Sequence, residues 1–452
     1  MQNNTHAVAG EFAYSKAALA DLAQAALAHA KALGASACDV EVTEGFGQSV
    51  SVRLGEVETI EYNRDKGVGV TVYFGQQKGH ASTSDFSPQA LRDAVAAAAS
   101  IARYTAADDC AGLADPTRLA HNPPDLDLYH PWALSVEDAI EQARRCEEAA
   151  RAVDTRISNS EGASVSTQSS HYIYANSNGF CDGYASSRHS ISCSVIAESA
   201  AGMQRDYWYS VARRAVDLES AELVGQIAGN RTVRRLDARK IATGQVPVLF
   251  DASLASGLIG HFTGAISGGS LYRKSSFLLD SLGQQVFSPL VQIAERPHLP
   301  RGLGSSAFDA EGVATADREL VQNGVVNGYL LGSYSARKLG MQSTGNAGGS
   351  HNLLLASTGE DFAALLKKMG TGLLLTELLG HGVNPVTGDY SRGAAGFWVE
   401  NGAIQYPVEE ITVAGNLRDM FKGIVAVGND VLIRGGKQCG SILIDNMTVA
   451  GN

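Results

Sequence analysis

Four consecutive side chains, Asp389, Tyr390, Ser391 and Arg392, bring a carboxylate, a phenol, a hydroxyl and a guanidinium into one short stretch. Groups of this kind can hold the backbone amides or the terminal carboxylate of a bound peptide; they can equally pin their own loop through local hydrogen bonds. Glu377 and His381 stand four apart, a spacing that puts both on one face of a helix and makes half of a metal site. The competing reading is an exposed pair at a helix end, before Gly382. His261 sits alone in the apolar stretch Leu254 to Ile266, where a histidine is either a packed, hydrogen-bonded residue or a residual acid–base group. The cysteines, Cys38, Cys110, Cys146, Cys181, Cys193 and Cys439, form no C-x-x-C pair and no zinc-knuckle spacing. Ser166 to Ser170 lacks the G-x-S-x-G of a nucleophile elbow. Gly264 to Lys274 lacks the spacing of a phosphate-binding Walker loop, and Gly67-Val68-Gly69 follows no strand–helix crossover.

The elements that must position these groups follow from periodicity. Leu19, Leu22, Ala26, Ala30 and Leu33 recur at helical steps from Ser15 until Gly34 stops them. Alternation at Val40 and Val42, at Val50 and Val52, and from Val68 to Phe74 predicts three or four antiparallel strands, and Ser87-Pro88 opens a helix to Tyr104. Four prolines between Asp109 and Trp132 predict a surface linker. Ser135 and Asp138 start a helix to about Val153, and strands are expected at Ala163–Ser169, His171–Ala175 and Ser187–Ile196, with Asn178-Gly179 turning between the last two. Tyr207 and Tyr209 belong to a further strand, and Leu218 to Ala228 to a helix; this second block repeats the first in outline. Val246 to Phe250 is a short buried strand, Asp251 caps the helix after it, and Asp361 to Met369 is a short helix. Asn327-Gly328 and Asn401-Gly402 are hairpin turns, the second reached through a glycine-rich loop at Gly388–Gly393. The expected fold is α+β: N-terminal helix/antiparallel-sheet units and a large glycine-rich, β-rich C-terminal domain. The boundaries are 1–108 (helix–meander–helix), 109–244 (linker and second α+β unit) and 245–452, whose sheet edges suit an extended peptide.

Composition narrows the class. The 452 residues carry a net charge of −11, with 44% hydrophobic and 18% charged residues, an ordinary globular balance with room for sizeable cores. An acidic chain excludes a broad nucleic-acid footprint, and the basic run Arg231, Arg234, Arg235, Arg239 and Lys240 reads as a solvated connector. Its 49 glycines against 11 prolines favour tight turns. No stretch is long and apolar enough to span a bilayer, and scattered cysteines without a leader point to a reduced, cytoplasmic protein.

The run Gly388 to Gly402, ending Gly393-Ala394-Ala395-Gly396-Phe397-Trp398-Val399-Glu400-Asn401-Gly402 and continuing to Thr412, closely resembles the C-terminal signature of the PmbA/TldE proteins, partner subunits of the TldD-type metalloproteases. In architecture the resemblance reaches nearly the whole chain; it is strongest from Pro247 to Ala265 and from Gly388 to Gly415. Catalytic members of that superfamily carry H-E-x-x-x-H directly after the short buried strand. Two histidines bind zinc, the glutamate is the general base, and a cysteine near the C-terminus completes the site. At the matching positions this chain has Gly260 and Ala265 for the histidines, His261 for the base, and Cys439 for the cysteine. The resemblance therefore implies no cofactor in this chain, zinc on a TldD-type homologous subunit, and unfolded peptides, including leader peptides, as substrates. Apart from the resemblance, side-chain chemistry makes Asp389, Tyr390, Ser391 and Arg392 the substrate-binding candidates and His261 a weak catalytic one. A homodimer is expected where the partner is absent. Two alternatives are a self-sufficient metallopeptidase using Glu377, His381 and Cys439, and a non-enzymatic adaptor of the gyrase-modulator kind.

Overall fold

The computed structural model describes residues 11–451; the polar stretch Met1 to Gly10, expected to fray, lies outside them. The first unit runs α1 (Lys16–Ala32), β1 (Ala37–Arg53), β2 (Glu56–Phe74), β3 (Gln77–Thr83) and α2 (Pro88–Tyr104). Ser15 and Ser87 cap the two helices with their hydroxyls, and Pro88 opens α2. The second unit repeats this order as α3 (Val136–Arg151), β4 (Asn159–Asn176), β5 (Cys181–Ser199), β6 (Gly202–Ala212) and α4 (Ala221–Arg234).

The two units share one sheet. Its order, β3-β2-β1-β4-β5-β6, is symmetric about the antiparallel β1–β4 pair. The outline repetition expected from sequence is thus matched by a pseudo-two-fold arrangement. Val40, Val42, Val50 and Val52 have one parity on β1, so both helix pairs pack on the same face. One cluster joins α1 and α2 to Val40, Val68 and Ile173; the other joins α3 and α4 to Val50, Val165 and Ile191. The strands are longer than periodicity suggested. Val42 and Val50 lie on one strand, as do Ala163 and Ala175, because pairing on both sides carries the backbone through polar and glycine positions. At Gly47 the Gln168 side chain crosses the strand, and an added Cβ would lie 2.0 Å from its Oε1.

Residues 105–135 wrap onto the C-terminal region. Arg337 donates to the carbonyls of Cys110 and Gly112, each at 2.7 Å, and of Leu113 at 3.0 Å. Leu119, Leu126 and Leu128 share a core with Phe180 and Phe308.

The C-terminal region comprises β7 (Gly244–Phe250), α5 (Ala252–Ala265), α6 (Gly268–Tyr272), β8 (Ile293–Glu295), β9 (Arg318–Gln322), β10 (Val325–Val326), α7 (Ser333–Lys338), β11 (Leu353–Leu355), α8 (Phe362–Met369), β12 (Gly372–Leu379), β13 (Asp389–Glu400), β14 (Ala403–Asn416), α9 (Leu417–Lys422), β15 (Ile424–Val427), β16 (Lys437–Gln438) and β17 (Ile442–Ala450). One sheet has the order β10-β9-β8-β11-β16 and the other β14-β13-β12-β7-β17-β15. Residues 412–414 of β14 also pair with 448–450 of β17, which curls the second sheet closed. Asn401 (φ 53°) and Gly402 (φ 74°) form the expected hairpin turn. Asn327-Gly328 does not turn; the two-residue loop between β9 and β10 is Asn323-Gly324, with φ of 50° and 76°.

The basic run is a seam, not a solvated connector. Arg231 and Arg235 face Asp206 at 3.3 and 3.7 Å, Arg235 also pairs with Glu377, and Lys240 pairs with Glu410 at 2.8 Å. Arg234 and Arg239 lie over the rings of Phe397 and Tyr406. Four of these five cations thus join α4 and the chain after it to β12, β13 and β14.

Candidate functional site

Helix α5 is the structural centre of the candidate site. Val248, Leu249 and Phe250 are fully buried on β7, between β12 and β17. Asp251 then turns the chain: its amide donates to the Leu375 carbonyl at 3.0 Å, and its carboxylate accepts from the Ser253 amide at 2.9 Å. The helix buries Ala255, Leu258, Ile259, Phe262 and Ala265, so its placement is set by packing rather than by polar contacts.

The two positions expected to carry imidazole ligands offer no donor atom. A Cβ added at Gly260 would have only the Lys437 Cε near it, at 3.9 Å, so space is left beside this residue. Ala265 closes the helix inside the apolar core. Cys439 is in the same core, and burial, with Asp430 nearby, pushes its thiol up to about 12. A thiol held protonated among apolar side chains is a poor metal ligand. Among the described residues no group of three or more His, Cys, Asp or Glu side chains is placed to hold a metal ion. This donor set does not fit the family's zinc.

Glu377 and His381 do not converge. The segment is strand rather than helix, because Leu373 to Leu375 are sandwiched between β7 and β13. Glu377 follows a bulge in β12 and pairs with Arg235, while His381 is exposed beyond Gly380, whose φ is 70°. The self-sufficient metal site imagined for Glu377, His381 and Cys439 therefore has one member paired elsewhere, one in solvent and one in the core.

The stretch Gly388–Gly393, expected as loop, is mostly strand, and alternation splits the four candidate side chains. Asp389 and Ser391 are exposed. The Asp389 carboxylate accepts from the Thr387 hydroxyl at 2.6 Å and the Asn416 amide at 3.1 Å, which hold it below its ordinary pKa. The Ser391 amide donates to the Gly382 carbonyl at 2.7 Å. These contacts pin the chain before β13. Tyr390 and Arg392 instead line a cavity of about 230 Å³ with His261, Ser253, Ser256 and Leu378. The His261 and Tyr390 rings meet edge to face, 5.9 Å between centroids. Burial, reinforced by the Arg392 charge, pushes the His261 imidazole below its ordinary pKa and keeps it neutral. Burial pushes the Tyr390 phenol up to about 12, although a hydrogen bond from Arg392 works against the shift.

Sequence reasoning named Tyr390 and Arg392 together and His261 apart from them, but not the convergence of the three. It missed Ser253, Ser256 and Lys437 altogether; no periodicity marks them, and Lys437 lies on a two-residue strand.

Family models match three segments: PmbA/TldA metallopeptidase domain 1 over residues 38–102, the central domain over 129–236, and the C-terminal domain over 243–451. The chain is 53% identical to a protein named Metalloprotease PmbA from Escherichia coli O157:H7, over 94% of each chain. Its fold is similar to a crystal structure from Bacteroides thetaiotaomicron, described as a modulator of DNA gyrase, with a TM-score of 0.91, 29% identity and coverage of 96% of this chain and 98% of that one. It also resembles the crystal structure of TldE from Thermococcus kodakarensis, with a TM-score of 0.84 at 18% identity, covering 95% and 100% of the two chains.

Proposed function

This chain belongs to the PmbA/TldD metallopeptidase family, and from that premise we propose that it is the metal-free subunit of a heteromeric TldD/TldE-type peptidase. One observation carries the reading: the helix position at which catalytic relatives place two imidazoles and a carboxylate holds Gly260, His261 and Ala265. A single buried cysteine cannot replace the three protein ligands of a catalytic zinc. The metal, its activated water and the hydrolytic step belong to a zinc-bearing homologous subunit. This chain closes the substrate chamber and helps hold unfolded and leader peptides.

One feature supports association and peptide handling. Residues 56–67 of β2 pair with β1 only, because β3 begins its pairing at Val68. Among the described residues that edge leaves Val57, Ile60 and Tyr62 exposed and the outer backbone groups without a pairing strand, open to another chain. Among the described residues no helix is long and apolar enough to cross a membrane.

The test is peptide hydrolysis by this chain, by the TldD-type subunit, and by both together. Activity is expected only in the mixture, and chelation should abolish it. Full activity of the partner alone, or of this chain alone, contradicts the proposal.

A further inference from the structure

The cavity beneath α5 is lined by a charge that has no carboxylate partner among the described residues. Among the described residues Arg392 has a buried Nε without a hydrogen-bond partner, and its guanidinium faces the neutral Tyr390 phenol. Lys437 lies beside Gly260, close to the same helix. Among the described residues neither cation is within ion-pair distance of a carboxylate. Other half-buried arginines have their partners: Arg235 pairs with Asp206 and Glu377, Arg318 with Glu295, Arg213 and Arg337 donate to backbone carbonyls, and Arg434 lies over the rings of Trp208 and Tyr209. A half-buried guanidinium left unpaired costs stability unless a ligand supplies the missing charge.

The lining says which charge. A planar guanidinium suits a planar carboxylate, and the Tyr390 hydroxyl adds a group that can donate to one, while the Ser253 hydroxyl already donates to Asp251. His261 is neutral and adds no second positive charge to the wall. The volume, about 230 Å³, matches roughly eight waters at ~30 Å³ each, enough for a carboxylate with a small adjoining side chain. Apolar walls from Phe250, Leu254 and Leu378 fit that neighbouring side chain.

We infer that this cavity receives the free C-terminal carboxylate of an extended peptide, with Arg392 as its anchor and Tyr390 and His261 shaping the seat. The inference rests on the peptide-handling reading above and deepens it. Asp389 and Ser391 take no part, because they face away and hold the preceding loop.

The experiment uses the full chain and one fluorescent hexapeptide made with a free or an amidated C-terminus. Binding is followed by polarisation. The free acid is expected to bind about ten- to hundredfold tighter than the amide, the range of a charge-assisted hydrogen bond. Arg392→Gln should remove the discrimination, and Arg392→Lys, which keeps charge without the fork, should retain a fraction of it. The lysine variant keeps the test decisive if the glutamine variant fails to fold. Equal binding of acid and amide, or undiminished discrimination in Arg392→Gln, overturns the inference. Acetate that competes as well as the peptide acid overturns the peptide assignment, since the site then takes any small carboxylate. The outcome is separable from the subunit proposal: lost discrimination with intact partner-dependent hydrolysis sinks only this site, and the reverse pattern sinks only the subunit role.

Discussion

Replacing Arg318 with methionine is expected to lower stability by about 3–5 kcal/mol, the usual cost of removing one member of a buried ion pair. Its partner, Glu295, is only 1% exposed on β8. The Glu295 carboxylate accepts from Arg318 Nε at 3.0 Å, from Asn346 Nδ2 at 2.8 Å and from the His351 amide at 2.9 Å. Arg318 also donates to the Tyr329 carbonyl at 3.1 Å and to Asn346 Oδ1 at 2.8 Å. One ion pair thus ties β8 and β9 to the long connection between α7 and β11. Methionine fills similar volume, so the loss comes from a charge left without its counter-ion rather than from a cavity. Urea unfolding measures it as a lowered midpoint. Adding Glu295→Gln should recover part of the loss, not all: the amide oxygen can keep the Asn346 and His351 donors, which both bond Oε1, but the amide nitrogen in place of Oε2 is left facing the methionine instead of the guanidinium. A loss below about 1 kcal/mol would show that solvent reaches this carboxylate.

Gly396→Ala is expected to cost about 1–3 kcal/mol or more and to disturb the candidate cavity at a distance. A Cβ on Gly396 would lie 2.0 Å from the Leu374 carbonyl oxygen and 3.1 Å from Leu375 Cα, both backbone atoms that cannot rotate away. Register shifts flank the position on both neighbours, between Leu375 and Glu377 and between Ala394 and Gly396. Relief of the clash must move β12. The Leu375 carbonyl that fixes Asp251 moves with it, and so does the start of α5. The expected result is a lowered melting temperature together with a shifted His261 imidazole resonance in NMR spectra. Gly257→Ala is the control: nothing lies within 4 Å of its added Cβ, and alanine favours a helix over glycine by up to about 1 kcal/mol. Similar losses in both variants would mean that strand approach is not why residue 396 is glycine.

These two sites show what local sequence can express. Gly396 lies within the motif that carries the family resemblance, yet its role is a close approach between strands that are distant in sequence. Caps and turns were legible because their causes are local: Ser15, Ser87, Ser135 and Asp251 cap helices, and Asn401-Gly402 turns a hairpin, as side-chain chemistry and φ preference require. The merging of six strands into one N-terminal sheet was not legible, since it depends on the β1–β4 pairing across more than a hundred residues. Glu377 and His381 misled because a four-residue spacing suits a helix only where a helix exists, and tertiary pairing made Leu373 to Leu379 a strand. The basic run misled in the same way: its counter-charges, Asp206, Glu377 and Glu410, come from other elements. For the candidate site, the missing ligands at Gly260 and Ala265 were readable from residue identity. The grouping of His261, Tyr390 and Arg392 needed the packing of α5 against the sheet that contains β13.

Zinc analysis, chain by chain, of a complex co-purified with its TldD-type subunit tests the central claim most directly. After gentle separation, the metal should remain wholly with the partner, and this chain should carry far less than one equivalent even after incubation with added zinc. A full ligand set is worth on the order of 10 kcal/mol, and very little of that survives on Cys439 alone. Stoichiometric zinc held by this chain, and lost in Cys439→Ala, would contradict the account.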